Sequence, residues 1–453
     1  MTKNEERSAS ISRGDKPKPA GKKFLSKSPQ LLRGFKDILP ADQPYWQFVK
    51  KTAESFANGY GFPQIDPPIL EEAALFVRSI GKQTDIVEKE MFSFTDQGQG
   101  LVVLRPEFTA SVVRAYINHG MINLPQPVKF YYFGPAFRRE RPQSGRQRQF
   151  YQFGFEIIGD INPVIDAQVI GIVNNFFKQI GLSQISIQIN SIGRPDCRKA
   201  YIQELTNYYR SKRKMLCEDC KKRITKNPLR LLDCKKPSCQ FVKTEAPQIV
   251  DWLDDECKEH FMKVVEYLDE LNISYKLNPY LVRGLDYYTK TVFEIWPGEK
   301  EESAQSALGG GGRYDGLVEL LGGRPTPAVG VSVGVERVIS QLRQKEAALP
   351  ADQNPEIFLA QIGDQAKVKA LVLFEQLRQE NIKVAENFAK DSLKSQLELA
   401  NKLHVRYALI LGQKEVMDGT ILVRDMESGV QEVINFNKTV QELKKKLANQ
   451  FSG

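Results

Sequence analysis

The chain has 453 residues, 41% of them hydrophobic and 26% charged. That balance suits a folded protein of roughly two to four domains and excludes a disordered or fibrous one. No stretch approaches the ~18–20 apolar residues of a membrane span, the start lacks the apolar core of a secretory signal, and six cysteines are too few for a disulfide scaffold, so the expectation is a cytoplasmic protein. The net charge of +9 says less than it suggests, because residues 1–30 hold eight basic and three acidic side chains. That Lys-, Ser- and Pro-rich stretch cannot bury enough apolar surface to offset chain entropy, and it reads as a disordered basic tail. Without it the body carries only +4.

A core region is expected over 31–345. Tyr45, Phe48, Val49, Ala53 and Phe56 recur at helical spacing over 42–58, and Gly59 and Gly61 end the run. Strands are expected at 65–70, 101–104, 128–133, 150–158 and 185–190. A polar, cysteine-bearing helical subdomain, about 194–275, is inserted before strand and glycine signals return over 281–337. Residues 346–355, with two prolines, read as a linker. Beyond it, strand, helix, strand, helix and strand follow at 357–362, 367–379, 382–385, 392–403 and 407–411. Such alternation predicts a small three-layer α/β domain over 356–453 with a mostly parallel sheet.

Four segments carry the chemistry. Between the strands at 130–133 and 150–158 lies a connector, residues 138–148, with five arginines and one glutamate. Along the second strand Tyr151, Phe153, Phe155 and Ile157 form an apolar face, and Gln152, Gly154 and Glu156 a polar one, the pattern of a pocket floor where glycine lets a ligand approach the backbone. The same pattern also fits a half-exposed sheet with a solvated basic loop. Leu281-Val282-Arg283-Gly284-Leu285-Asp286-Tyr287-Tyr288 reads as a second strand, whose Arg and Asp face a ligand or each other. Gly309-Gly310-Gly311-Gly312-Arg313-Tyr314-Asp315 permits close backbone approach or a flexible turn, and is no phosphate loop, since no Gly-Lys-Ser/Thr follows. In Gly330–Arg337 small residues alternate along a strand and an arginine follows as a helix begins, placed for a nucleotide phosphate or base.

These segments, in this order, with Gly34-Phe35-Lys36-Asp37, Leu104-Arg105-Pro106-Glu107 and Phe137-Arg138-Arg139-Glu140, resemble class II aminoacyl-tRNA synthetases. The strings Arg283–Tyr288 and Gly311–Asp315 narrow the resemblance to the histidyl-tRNA synthetase family. It implies an α+β fold: an antiparallel-sheet catalytic core with the inserted helical subdomain, then a C-terminal α/β anticodon-binding domain. It also implies a reaction in which histidine and ATP give histidyl-adenylate and pyrophosphate, and histidine passes to the 3′ end of tRNA(His). The implied catalytic residues are Arg138 on the α-phosphate, Arg283 between the histidine carboxylate and that phosphate, and Arg337 on the γ-phosphate side. Glu140 falls to the adenine end of ATP, with Mg²⁺ on the other phosphates. For histidine, Glu107 and Thr109 receive the ammonium, Gln152 the carboxylate, and Glu156 and Tyr288 the imidazole, with Tyr287 and Tyr314 nearby. Arg141, Gln143 and Arg146 are placed to meet the tRNA acceptor end. Residues 34–70 resemble the family's dimer motif, so a homodimer is expected. One departure is Phe108, where the resemblance implies glycine; its ring either crowds the pocket or points into the core.

Cys217, Cys220, Cys234 and Cys239 form two closely spaced pairs, suited to a structural Zn²⁺ site or to four reduced thiols in a helical subdomain. With only His119, His260 and His404 present, a histidine-based metal site or triad is not expected. The rival reading is a non-catalytic histidine-binding regulatory paralogue of histidine biosynthesis. Relatives of that kind lack the anticodon-type domain and some ATP-binding arginines, both present here.

Overall fold

The computed structural model describes residues 28–81, 84–140, 146–298, 307–347, 349 and 355–448. Most of the expected tail and linker, residues 1–27, 348 and 350–354, lies outside these. The described residues form two compact units, divided after residue 348.

The first unit is built on a seven-stranded sheet ordered Val128–Phe137, Gln149–Ile158, Ala328–Gly334, Gly309–Arg313, Thr289–Pro297, Ile185–Ser191 and Lys276–Leu277. Every neighbouring pair is antiparallel except the last. Period-two alternation along Gln149–Ile158 divides the sheet's faces as the sequence predicts. Phe153, Phe155 and Ile157 enter a fully buried core with Val49 and Ala53 of helix Gln43–Gly59, Val169 and Phe176 of helix Pro163–Gln179, and Val338 of helix Val335–Gln344. Gln152, Gly154 and Glu156 take the opposite face. A small three-stranded sheet, Leu70–Glu72, Leu101–Leu104 and Phe92–Thr95, packs beside helix Thr109–Asn118 through Phe76, Val103 and Ala110.

Three expectations are corrected. The strand at 65–70 is only a bridge from Gln64 to Tyr131 and a short strand from Leu70, because Pro67 and Pro68 have no N–H for a ladder. Residues 281–288 form no strand; tertiary contacts hold them as a loop, with the Asp286 N–H donating to the Ile80 carbonyl. The glycine run is itself a strand, Gly309–Arg313, paired on both sides. A side chain at Gly311 would meet the Gly330 carbonyl, and Gly312 has φ +153°, so two-sided pairing outweighs glycine's weak strand preference.

The cysteine-bearing stretch is helical, with helices Pro195–Ser211, Glu218–Lys226 and Pro237–Lys243 around Tyr201, Leu205, Leu231 and Leu232. Its last helix, Asp255–Glu270, belongs with the sheet instead: Val264 and Leu268, one turn apart on the buried stripe, join the first core.

In the second unit the strand order is Val384–Glu386, Ile357–Gln361, Tyr407–Leu411, Thr420–Asp425 and Gln431–Asn435. The first two pairings are parallel and the last two antiparallel, so the sheet is mixed rather than mostly parallel. The five-residue connection 426–430, with Gly429 at φ +73°, is too short for a crossover and forces a hairpin. Helices Asp364–Gln379 and Thr439–Ala448 cover one face and Leu393–Lys402 the other. Among the described residues no helix is long and apolar enough to cross a membrane.

Candidate active site

A cleft on the polar face of the first sheet is lined by Arg138, Arg146, Arg283 and Arg337, with Glu140, Glu294 and Glu336 between them. Arg138 follows strand Val128–Phe137; its Nε donates to the Pro106 carbonyl at 2.9 Å and its guanidinium lies 5.4 Å from the Phe150 ring centre, which fixes its plane. Arg146 pairs with Glu140 at 2.6 Å. Arg337 stands in the first turn of helix Val335–Gln344 and donates to the Ala307 carbonyl. Burial, then the like charges of Arg146 and Arg138, lower its pKa. Arg283 reaches Glu294 at 2.5 Å, directly over Gly310, where a Cβ would stand 2.5 Å from its Nη1.

Three buried polar atoms on cleft-lining groups, Arg146 Nε, Gln152 Oε1 and Arg283 Nε, have no partner among the described residues, which marks them as ligand-facing. Burial pushes Glu336 up to about 7, and burial also raises Glu294 despite the opposing charge of Arg283. Four guanidiniums face three carboxyl groups in this lining, an excess of positive charge suited to an anionic polyphosphate.

Further along the same strand face, Glu156 is fully buried. Thr109 Oγ1 donates to its Oε1 at 2.7 Å and the Tyr314 hydroxyl to its Oε2 at 2.6 Å. Burial pushes its pKa up to about 8, opposed by those two hydrogen bonds. Gly330, on the neighbouring strand, makes the room, since a Cβ there would collide with Oε2. Glu107 accepts from the N–H groups of Thr109 and Ala110 at 2.6 and 2.9 Å, at the N-terminus of helix Thr109–Asn118 where the dipole favours an anion. Burial nonetheless raises its pKa. The Tyr287 hydroxyl lies 3.5 Å from Glu107, and the Tyr287 ring contacts those of Tyr288 and Tyr314 at 4.8 and 5.8 Å. The Arg283 guanidinium, 5.7 Å from the Tyr288 ring centre, joins this pocket to the cleft. Gln152 and Glu156 are four residues apart, ~13 Å along the strand.

The fold thus brings Arg138, Glu140, Arg146, Gln152, Arg283 and Arg337 to one cleft, and Glu107, Thr109, Glu156, Tyr287 and Tyr288 to the adjoining pocket. Arg141 and Gln143 lie outside the described residues. Tyr314, expected only near the ring, hydrogen-bonds Glu156 directly. Arg283 and Asp286 do not pair: Asp286 accepts from Asn227 at 3.2 Å. The space over Gly154 is filled by the Tyr132 phenol, hydrogen-bonded with Ser332, rather than left for a ligand. Phe108 points into the core, 1% exposed, stacked on Tyr132 at 4.3 Å with the Arg105 guanidinium 3.8 Å from its ring centre. Glu294 is missing from the sequence reading, although a lone glutamate within Val292-Phe293-Glu294-Ile295-Trp296 is a signal for a buried charge partner. Arg313, in the Gly-Gly-Arg-Tyr-Asp string, faces away from the cleft into a buried pair with Asp166, both 0% exposed, 2.7 Å apart. The four cysteines Cys217, Cys220, Cys234 and Cys239 come together within the inserted helices.

The family model described as Histidyl-tRNA synthetase matches residues 34–338, and that described as Anticodon binding domain matches 356–446. The chain is 46% identical over 418 residues to the histidine–tRNA ligase of Dehalococcoides mccartyi, covering 92% of this chain and 100% of the relative. It is 45% identical to that of Pelotomaculum thermopropionicum, covering 92% and 97%. The crystal structure of apo S. aureus histidyl-tRNA synthetase superposes with a TM-score of 0.77 at 34% identity, covering 92% of this chain and 99% of that one. Two family models end to end, and relatives matched over nearly their whole length, place the chain in the histidyl-tRNA synthetase family.

Proposed function

We infer that the chain is an ATP-dependent histidine–tRNA ligase working in the cytoplasm, and that the cleft and the pocket divide its first step between them. The observation that carries this reading is the continuity of a four-arginine cleft with a buried carboxyl pocket along one strand face. In the first step a carboxylate oxygen of histidine attacks the α-phosphorus of ATP; the new O–P bond forms as the bond to the β-phosphate oxygen breaks, and pyrophosphate leaves. Arg138 and Arg283 hold the α-phosphate, where negative charge builds, and Arg337 holds the γ end. Glu140 takes the adenine end. Because Arg283 Nε has no partner among the described residues, the guanidinium can bridge carboxylate and phosphate while keeping Glu294. Glu294 and Glu336 offer oxygen donors of the kind Mg²⁺ takes and would hold that ion beside the phosphates, where it would offset part of the phosphate charge.

Histidine lies with its carboxylate toward Gln152 and Arg283, its ammonium toward Glu107 and Thr109, and its imidazole toward Glu156, with Tyr287, Tyr288 and Tyr314 around the ring. An arriving ammonium keeps Glu107 ionised against the desolvation that raises its pKa. Side chains that leave Glu156 unpaired are rejected strongly. In the second step a hydroxyl of the terminal tRNA(His) ribose attacks the carbonyl carbon and AMP leaves. Arg146, with Arg141 and Gln143, meets the acceptor end, and the second unit takes the anticodon. A homodimer is supported by exposed Leu31, Leu32, Leu39, Ile69 and Leu70, an apolar set within and beside residues 34–70. The regulatory alternative is disfavoured by the three arginines and the second unit.

Amino-acid-dependent ATP–pyrophosphate exchange across the twenty amino acids tests the reading. Exchange with histidine alone, followed by charging of tRNA(His), is expected. Histidine binding without exchange would restore the regulatory alternative.

A further inference from the structure

We propose that Cys217, Cys220, Cys234 and Cys239 bind one zinc ion, and that the ion braces the loop 281–288 from the inserted helices. The four Sγ atoms all lie within 4.8 Å of one another, and none is in a disulfide. Cys217 and Cys234 are 3.9 Å apart. A tetrahedral site with Zn–S bonds of ~2.3 Å sets sulfurs ~3.8 Å apart, so little movement is required. The Cys217 N–H already donates to Cys239 Sγ at 3.2 Å, the outer hydrogen bond that steadies a metal-bound thiolate.

Three of the thiols are buried and Cys217 half-buried, so the centre is shielded from solvent. Four sulfurs fill the shell and leave no position for water, which makes the site structural rather than catalytic. A zinc ion with four thiolates carries a −2 charge, and residues 212–243 supply eleven basic against three acidic side chains. The helices concerned, Glu218–Lys226 and Pro237–Lys243, have nine and seven residues, too short to be stable by themselves. A metal supplies what such a small lobe lacks.

The segment between the two cysteine pairs gives the ion its consequence. Asn227 Nδ2 donates to Asp286 Oδ1 at 3.2 Å, Arg230 donates to the Gly284 carbonyl, and Arg223 pairs with Asp85 at 2.7 Å. The loop so held carries Arg283, Tyr287 and Tyr288. Tying together both ends of 217–239 fixes the turn whose middle pins that loop.

Full-length protein purified without chelator is tested by elemental analysis, with one zinc per chain expected. Replacement by Co²⁺ is expected to give sulfur-to-cobalt charge-transfer bands and tetrahedral d–d bands. Cys234→Ser and Cys239→Ser lose the metal, whereas Cys197→Ser, which alters the separate Cys197–Cys257 contact, retains it. Protein from zinc-replete cells that holds no metal, or iron instead, overturns the site, as does zinc lost with Cys197→Ser and kept in Cys234→Ser. For the brace, zinc is removed from the native protein and trypsin cleavage after Arg223 and Arg230 is followed. Faster cleavage by tenfold or more is expected; unchanged cleavage overturns the bracing.

Discussion

Glu156 is a buried carboxyl with no cation beside it among the described residues, and its protonation sets a pH dependence. Its pKa stands near 8 in the folded chain and at ~4.3 in an unfolded one. Between those values the folded state keeps a proton that the unfolded state has released, so stability is full below ~4.3 and falls as pH rises towards 8. The whole loss is ~5 kcal/mol. Glu156→Gln removes this titration: its melting temperature should match the parent at pH 4 and exceed it at pH 8.5, while histidine-dependent exchange falls ~10²–10⁴-fold. A melting difference that stays constant between these pH values would contradict the assignment. The Arg313–Asp166 pair is the opposite case, two charges at zero exposure satisfying each other, with Arg313 also donating to the Asp160 and Asn162 carbonyls. Asp166→Ala would leave Arg313 with Asp315 at 3.1 Å and the two carbonyls, so its cost in denaturant unfolding should fall below the ~3–5 kcal/mol of a stranded buried charge. Arg313→Ala, which leaves Asp166 without a guanidinium, should reach that range.

At the scale of elements, the paired strands Gly309–Arg313 and Ala328–Gly334 work through the side chains they lack. Gly310→Ala displaces the Arg283 guanidinium and Gly330→Ala the Glu156 carboxyl, so each should abolish pyrophosphate exchange. Gly316→Ala, whose Cβ meets nothing within 4 Å, should leave exchange unchanged. Equal loss in all three would remove the steric explanation. What could be read from the sequence divides along the same physical line. The faces of Gln149–Ile158 were legible because burial in a strand has a period of two, and that alone places Gln152 and Glu156 together. The β-prone string 281–288 was misread because contacts from Asn227 and Arg230, more than fifty residues away, hold it as a loop. The glycine run left close backbone approach and a turn equally open, because two flanking strands, one upstream and one downstream, decide its conformation. Arg283's partner Glu294 lies across a register that only the assembled sheet defines.

At the scale of the molecule, the two units have separate cores, one around Phe153 and Phe155 and one around Leu359 and Leu409. Leu409→Ala, from full burial, should lower the stability of the second unit by ~2–5 kcal/mol. Histidine-dependent exchange should survive this change while tRNA charging falls at elevated temperature; loss of both together would mean the cores are not independent. The order of strands also bears on how the first unit is made. Ala328–Gly334 is the last of its strands to leave the ribosome, yet it lies in the interior of the sheet, joining Gln149–Ile158 to Gly309–Arg313. Until it emerges, the nascent chain holds two half-sheets with unpaired edges, and the two halves of the active site have no backbone connection. A message cut short before residue 328 therefore yields no partial enzyme, only exposed edges.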